Sequence, residues 1–221
     1  MTTYNLPKNP KALIFDIDST LYTNAAYAFE QVDCQVRQFA KDRGITADEA
    51  RRMVADYRKQ YAAANNGKKI SLGNTLLAFG IPIAQSVEWR KTLMEPADFL
   101  TRDEKLIQTL HELSKSLKLI CVTNNPVFTA RKTLDAIGIL EFFPEIVGLD
   151  TCLKSKPAVE PFMKACEITK TIPQKCIAIG DRYDMDIALP LELGMGGILV
   201  SGVEEVYEIP TLIAASLCSS Q

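Results

Sequence analysis

The residues of this chain that could do chemistry gather at the ends of short apolar runs. The first run passes directly into Asp16-Ile17-Asp18-Ser19-Thr20, two carboxylates two positions apart. Alternation along an extended segment turns Asp16 and Asp18 to the same side. Two anions so close repel unless a cation sits between them, and a hard all-oxygen site suits magnesium, at about 2.0–2.1 Å. Asp and Ser also close ordinary turns after strands, so the pair read alone serves either purpose.

Three further runs end in polar residues. Val122-Thr123-Asn124-Asn125-Pro126 offers a hydroxyl, amides and free backbone N–H groups before a helical pattern. Such a start suits the oxygens of a phosphoryl group, and it is equally good turn chemistry. Lys156 precedes Pro157, which keeps it out of a helix and leaves a cation on a loop; most lysines in that position are simply solvated. Ile177-Ala178-Ile179 runs into Gly180-Asp181, where glycine permits close backbone approach and Asp181 could supply a metal ligand from another strand. Asp184 and Asp186 follow, and a place in the first turn of the next helix, favoured by its dipole, accounts for them equally.

The elements that must position these residues follow from periodicity. Runs at 12–15, 118–122, 145–148, 176–179 and 197–200 read as buried strands. Helical patterns fill 101–117, opened by a possible capping box at Thr101-Arg102-Asp103-Glu104, then 129–137, 159–169 and 184–193. Strands alternating with helices predict an α/β fold, a doubly wound and mostly parallel sheet. Pro190 removes a backbone donor, so the last of these helices should bend or begin late. The segment from Leu21 to Pro96 breaks the alternation with consecutive helical patterns. Phe29, Val32, Val36 and Phe39 share one face, Gly44 stops that helix, and Thr46-Ala47-Asp48-Glu49 restarts one with Met53, Val54, Tyr57 and Tyr61 on its apolar side. Weaker helical patterns cover 72–79 and 86–93.

Composition narrows the function. The 221 residues are 47% hydrophobic and 24% charged, an ordinary globular balance. A net charge of -2 with no long basic run argues against a nucleic-acid partner. No stretch reaches the roughly 20 apolar residues of a membrane span, and the polar start carries Pro7 and Pro10 instead of an apolar signal core. The expectation is a cytoplasmic chain with no membrane partner. Six cysteines without a CxxC pair read as small buried hydrophobes in a reducing compartment. The single histidine, His111, falls on the solvent side of a helical pattern, which leaves little room for a histidine triad or a multi-histidine zinc site.

Asp16-x-Asp18-x-Thr20, Thr123, Lys156 and Gly180-Asp181 with Asp186, in that order between Ala12 and Val200, resemble the four motifs of the haloacid dehalogenase superfamily. The resemblance implies a Rossmann-like core at 1–21 and 97–221 and an inserted helical cap at 22–96, as in the first subfamily. It further implies a magnesium-dependent phosphohydrolase acting on a small phosphorylated metabolite. In that reading Asp16 is the nucleophile, and Asp18 the acid and base. Thr123 and Asn124 contact the substrate, and Lys156 neutralises Asp16 and the phosphate. Asp16, Asp181 and the backbone carbonyl of Asp18 hold magnesium, and Asp186 orients that shell. Asp18 favours a phosphatase over a dehalogenase, since the dehalogenases of the group lack it.

The Asp16–Tyr22 opening and Gly73-Asn74-Thr75-Leu76 look most like the pyrimidine 5'-nucleotidase branch, with Tyr22, Tyr27 and Asn74 as residues that could reach a substrate. A sugar-phosphate or phosphoglycolate phosphatase is the alternative, and a non-catalytic binding or regulatory protein on the same fold is the alternative of another class. Ser19 and Pro190 depart from the pattern of the family. Ser19 stands where most have glycine, as in phosphoserine phosphatases, yet Thr123-Asn124 is not the Ser-Gly pair of that group.

Overall fold

A six-stranded sheet is built from β1 (Thr2–Tyr4), β2 (Ala12–Phe15), β3 (Lys118–Val122), β4 (Ile146–Val147), β5 (Cys176–Gly180) and β6 (Gly196–Leu199), in the spatial order β1-β6-β5-β2-β3-β4. The structure, a computed structural model, describes residues 1–218. Strands β2 to β6 run parallel. Their order reverses at β2, which pairs with β3 on one side and β5 on the other, and in an open α/β sheet the carboxyl ends at such a reversal are where ligands bind. The fold class is the one the alternation of patterns predicts.

The strands are apolar because both faces are covered. Ala12, Leu13, Ile14 and Phe15 are all buried, and Ile14, Ile120 and Val122 share a core with Phe162, Ala165 and Cys166. β1 has no counterpart in the sequence reading. Thr2, Thr3 and Tyr4 suit a strand but number only three, and they add an antiparallel edge against β6, with Thr3 opposite Ile198. Cys34, Cys121, Cys166 and Cys176 are buried and Cys152 is half-buried, while the side chain of Cys218 lies outside the described residues.

The chain divides into two units, Met1–Asn24 with Pro96–Gln221 and Ala25–Glu95. The second contains α1 (Ala25–Arg43), α2 (Ala47–Ala64), α3 (Leu72–Ala78) and α4 (Ile83–Leu93). The capping box of α2 forms as expected: Thr46 Oγ1 accepts from Glu49 N–H, and the Glu49 carboxylate takes the Thr46 N–H at 2.8 Å. The apolar face assigned to α1 needs correction. Phe29 and Val32 are 61% and 38% exposed, whereas Val36 and Phe39 are buried with Ala50, Val54, Leu76 and Trp89. Polar side chains explain the rotation. Buried Asp33 accepts from Arg51 Nε at 2.7 Å and from Arg37, and buried Gln35 accepts from Ser86 Oγ at 2.9 Å. Counting apolar spacing alone cannot see a face that buries a satisfied carboxylate.

The first unit adds α5 (Glu104–Ser114), α6 (Val127–Ala136), α7 (Leu149–Cys152), α8 (Val159–Thr169), α9 (Ala188–Glu192), α10 (Val203–Val206) and α11 (Ile209–Cys218). The cap of α5 is Asp103, whose Oδ1 accepts from Leu106 N–H at 2.9 Å, in place of Thr101. His111 is exposed on α5. Before α9 the chain makes a π-helical turn at Tyr183–Ile187. The α-helix starts only at Ala188, so Pro190 falls in its first turn, where a missing N–H costs little. Among the described residues no helix is long and apolar enough to cross a membrane.

Candidate active site

Four loops meet at the carboxyl ends of β2, β3 and β5. Asp16 follows β2 directly, its N–H donating to Ile179 O of β5 at 2.8 Å, and Thr123 follows β3, its N–H donating to Val147 O at 2.9 Å. Asp181 follows Gly180, the last residue of β5. Lys156, from the loop before α8, is only 3% exposed. It is not the solvated surface lysine that its loop position allowed. Its Nζ donates to Asp16 Oδ1 at 2.5 Å and to Asp186 Oδ1 at 2.6 Å, and both carboxylates are buried.

Burial is the largest influence on Asp16 and pushes its carboxyl up, to about 8; the charge of Lys156 opposes the rise, and Asp186 and Asp18 add to it. Lys156 is pulled down by its own burial, but Asp16 and Asp186 outweigh that, and its ammonium holds its proton more tightly than a free lysine. Asp181 is also raised, by burial first and then by Asp186. Oxygens of Asp16, Asp181 and Asp186 lie within 4.8 Å of one another. Three carboxylates against the one ammonium of Lys156 leave two formal negative charges, and the donors are all hard oxygens. That set fits a divalent cation of the magnesium class. Asp186, expected only to orient this shell, stands in the cluster itself while its Oδ2 accepts from Arg182 N–H at 3.1 Å.

The Asp18 side chain is outside that cluster. Its Oδ1 accepts from Tyr22 OH at 2.6 Å and its Oδ2 from Asn125 Nδ2 at 2.8 Å. Asn125 is buried, and its N–H donates to Thr123 Oγ1 at 3.1 Å. Asn125 stands in the sequence as one of the amides before Pro126, without a role of its own. The available signal was its place one step beyond Thr123-Asn124 at the end of an apolar strand. Asn124 engages the backbone of Lys156 through both amide atoms: Oδ1 accepts from Lys156 N–H at 2.7 Å and Nδ2 donates to Lys156 O at 3.3 Å.

Two glycines set the spacing. A Cβ on Gly180 would stand 2.3 Å from Asp186 Cβ, and one on Gly148 would stand 2.7 Å from Val127 N and 2.8 Å from Asn125 O. Ser19, in the loop after Asp18, has φ of 60°, a left-handed conformation that glycine adopts without strain.

Comparisons with known proteins bear on the family and the fold. A family model described as haloacid dehalogenase-like hydrolase matches residues 10–193. The chain is 26% identical over 146 residues to an N-acylneuraminate-9-phosphatase of Rattus norvegicus, covering 59% of this chain and 58% of the rat protein. It is 27% identical over 202 residues to a glyceraldehyde 3-phosphate phosphatase of Methanothermobacter thermautotrophicus, covering 86% and 85%. Among solved structures, the magnesium-bound HAD-hydrolase YfnB from Bacillus subtilis superposes with a TM-score of 0.60 at 20% identity, over 92% of this chain and 99% of that one. That likeness concerns the fold. This chain spans a little over half the length of the rat relative.

Proposed function

The chain belongs to the haloacid dehalogenase-like hydrolases, and from that membership we propose that it is a magnesium-dependent phosphatase of small phosphomonoesters that works through an aspartyl-phosphate on Asp16. The observation that carries the reading is the buried contact of Lys156 with Asp16 and Asp186 beside a separately held Asp18. It supports two carboxylates with different tasks, one neutralised by a fixed cation and the other fixed by two hydrogen-bond donors.

In the first step an Asp16 oxygen attacks phosphorus and the ester oxygen leaves with a proton from the Asp18 carboxyl. In the second, the Asp18 carboxylate takes a proton from water as that water attacks phosphorus, and phosphate departs with Asp16 restored. Lys156 offsets charge on Asp16 and on the transferring group, and Thr123 holds a phosphoryl oxygen. Asn124 keeps the backbone of Lys156 in place. Asp16, Asp181 and the Asp18 carbonyl would hold magnesium, with Asp186 beside them; when bound, the ion would add positive charge at the phosphoryl oxygens and favour the ionised nucleophile.

For the substrate we propose a nucleoside 5'-monophosphate, from the resemblance of the Asp16–Tyr22 segment. A sugar-phosphate or phosphoglycolate substrate is the second reading, and the likeness to the rat N-acylneuraminate-9-phosphatase and the archaeal glyceraldehyde 3-phosphate phosphatase favours it. The test is phosphate release from a panel of nucleoside monophosphates and sugar phosphates, with magnesium or chelator, by the native chain and Asp16→Asn. Metal-dependent release that Asp16→Asn abolishes is expected, and the ranking selects the substrate class. No release from any member would overturn the proposal in favour of a binding role.

A further inference from the structure

The amino ends of the central strands carry lysines. Lys175, Lys11 and Lys118 stand at the entries of β5, β2 and β3, three neighbouring strands, with Lys11 N–H donating to Lys175 O at 2.8 Å and Lys118 N–H to Lys11 O at 3.0 Å. With Lys115 after α5 and Lys170 after α8, they line a cavity of about 580 Å³. Five of its ten lining residues are lysines and none is acidic. Among the described residues no carboxylate pairs with any of the five.

Helix C-termini favour cations, and that accounts for Lys115 and Lys170 at the ends of α5 and α8. It accounts for Lys118 too, whose Nζ donates to Thr169 O at the end of α8 at 2.6 Å, but not for Lys11 and Lys175 at the entries of β2 and β5. Five lysines lining one concave surface with no acidic residue give it a positive field, which an entering anion lowers in energy. The gathering is local, because the whole chain carries -2. The volume lies within the roughly 300–1,000 Å³ typical of small-molecule sites.

The chemistry of the lining selects the ligand. Ammonium groups are compact point charges without the planar fork that grips a single carboxylate, and no aromatic ring lines the cavity to stack a base. What such a site recognises is several phosphates in a chain. We propose that this cavity is a second anion site that binds a small polyphosphorylated molecule. Lys11 and Asp16 lie at opposite ends of β2, about 16 Å apart at strand rise, so the site is distinct from the carboxylate cluster and stands whether or not the chain is a phosphatase.

Calorimetry with sodium tripolyphosphate, in chelator and low salt, tests this on the native chain and its variants. Tripolyphosphate should bind at least tenfold more tightly than orthophosphate. Lys11→Glu/Lys115→Glu should weaken it by at least tenfold, and the milder Lys11→Gln/Lys115→Gln by at least threefold should the first fail to fold. Lys68→Glu/Lys69→Glu, with the same change of charge at exposed positions outside the cavity, should leave binding within twofold, as should Asp16→Asn. No binding, equal loss in the Lys68/Lys69 pair, or loss in Asp16→Asn would each overturn the proposal. So would an oligonucleotide that displaces tripolyphosphate through the same lysines with higher affinity.

Discussion

Asn125 Nδ2 donates to Asp18 Oδ2 at 2.8 Å, joining the loop after β3 to the loop after β2 across 107 positions of sequence. With Tyr22 OH on the other oxygen, both lone-pair faces of the Asp18 carboxylate are fixed in direction. A hydrogen bond to a charged group contributes about 1.5–3 kcal/mol, or about 10–100-fold in rate. Asn125→Ala and Tyr22→Phe should therefore each lower kcat by that order. The loss should be larger on an alkyl phosphate, whose leaving oxygen needs a proton, than on p-nitrophenyl phosphate, whose leaving group does not. Equal losses on the two esters would show that these residues act on structure and not through Asp18.

Gly180→Ala tests the close approach at the end of β5. The added carbon would stand 2.3 Å from Asp186 Cβ and 2.7 Å from its Oδ2, so Asp186 must shift and its contact with Lys156 is disturbed. Overpacking of this kind costs about 1–3 kcal/mol. We expect a lower Tm and a weaker apparent affinity for magnesium in activity titrations. A variant with native magnesium dependence would mean that Asp186 has no part in holding the ion.

Much of this site was legible because strand ends are legible. β2 and β3 and helix α8 match their expected bounds, since each is a bounded apolar or amphipathic run; Asp16 and Thr123 are defined by where β2 and β3 stop, Asp181 by the end of β5, and Lys156 by the loop before α8. What the sequence hid are contacts made by polar side chains over long separations. The burial of Lys156 depends on carboxylates 140 and 30 positions away, and Asn125 on one 107 away. The same blindness rotated α1: Asp33 and Gln35 are buried because partners arrive from α2 and α4, which no period along α1 can announce.

Asp33 gives the helical unit an acid-sensitive element. Hydrogen bonds from Arg51, then Arg37, outweigh the effect of burial and hold its carboxyl below the usual value. A folded value below the unfolded one means that the stabilisation is fully present above the unfolded value, about 3.9, and is lost as pH falls through the folded one. The native chain should thus show a higher denaturation midpoint than Asp33→Asn at pH 7, with a gap that stays constant down to about pH 5 and narrows in more acid solution. A gap independent of pH would assign the effect of the substitution to packing.

The buried triad makes the sharpest prediction about metal. On the proposed function Lys156 and a divalent cation would serve the same carboxylates, so each would lessen the need for the other. Removing the ammonium leaves Asp16 and Asp186 buried without it, a change that costs about 3–5 kcal/mol when one partner of a buried pair is lost. Lys156→Met should accordingly unfold at a markedly lower temperature than the native chain in chelator. Magnesium that binds this cluster in the folded form alone should raise the Tm of both, and raise it further in Lys156→Met, where three carboxylates would face the ion without a competing charge. Activity should stay low in that variant even with the ion bound, because the transferring phosphate still lacks the lysine. An equal or smaller magnesium shift in Lys156→Met would mean that the ion and Lys156 do not share Asp16 and Asp186, and the metal would have to be sought away from this cluster.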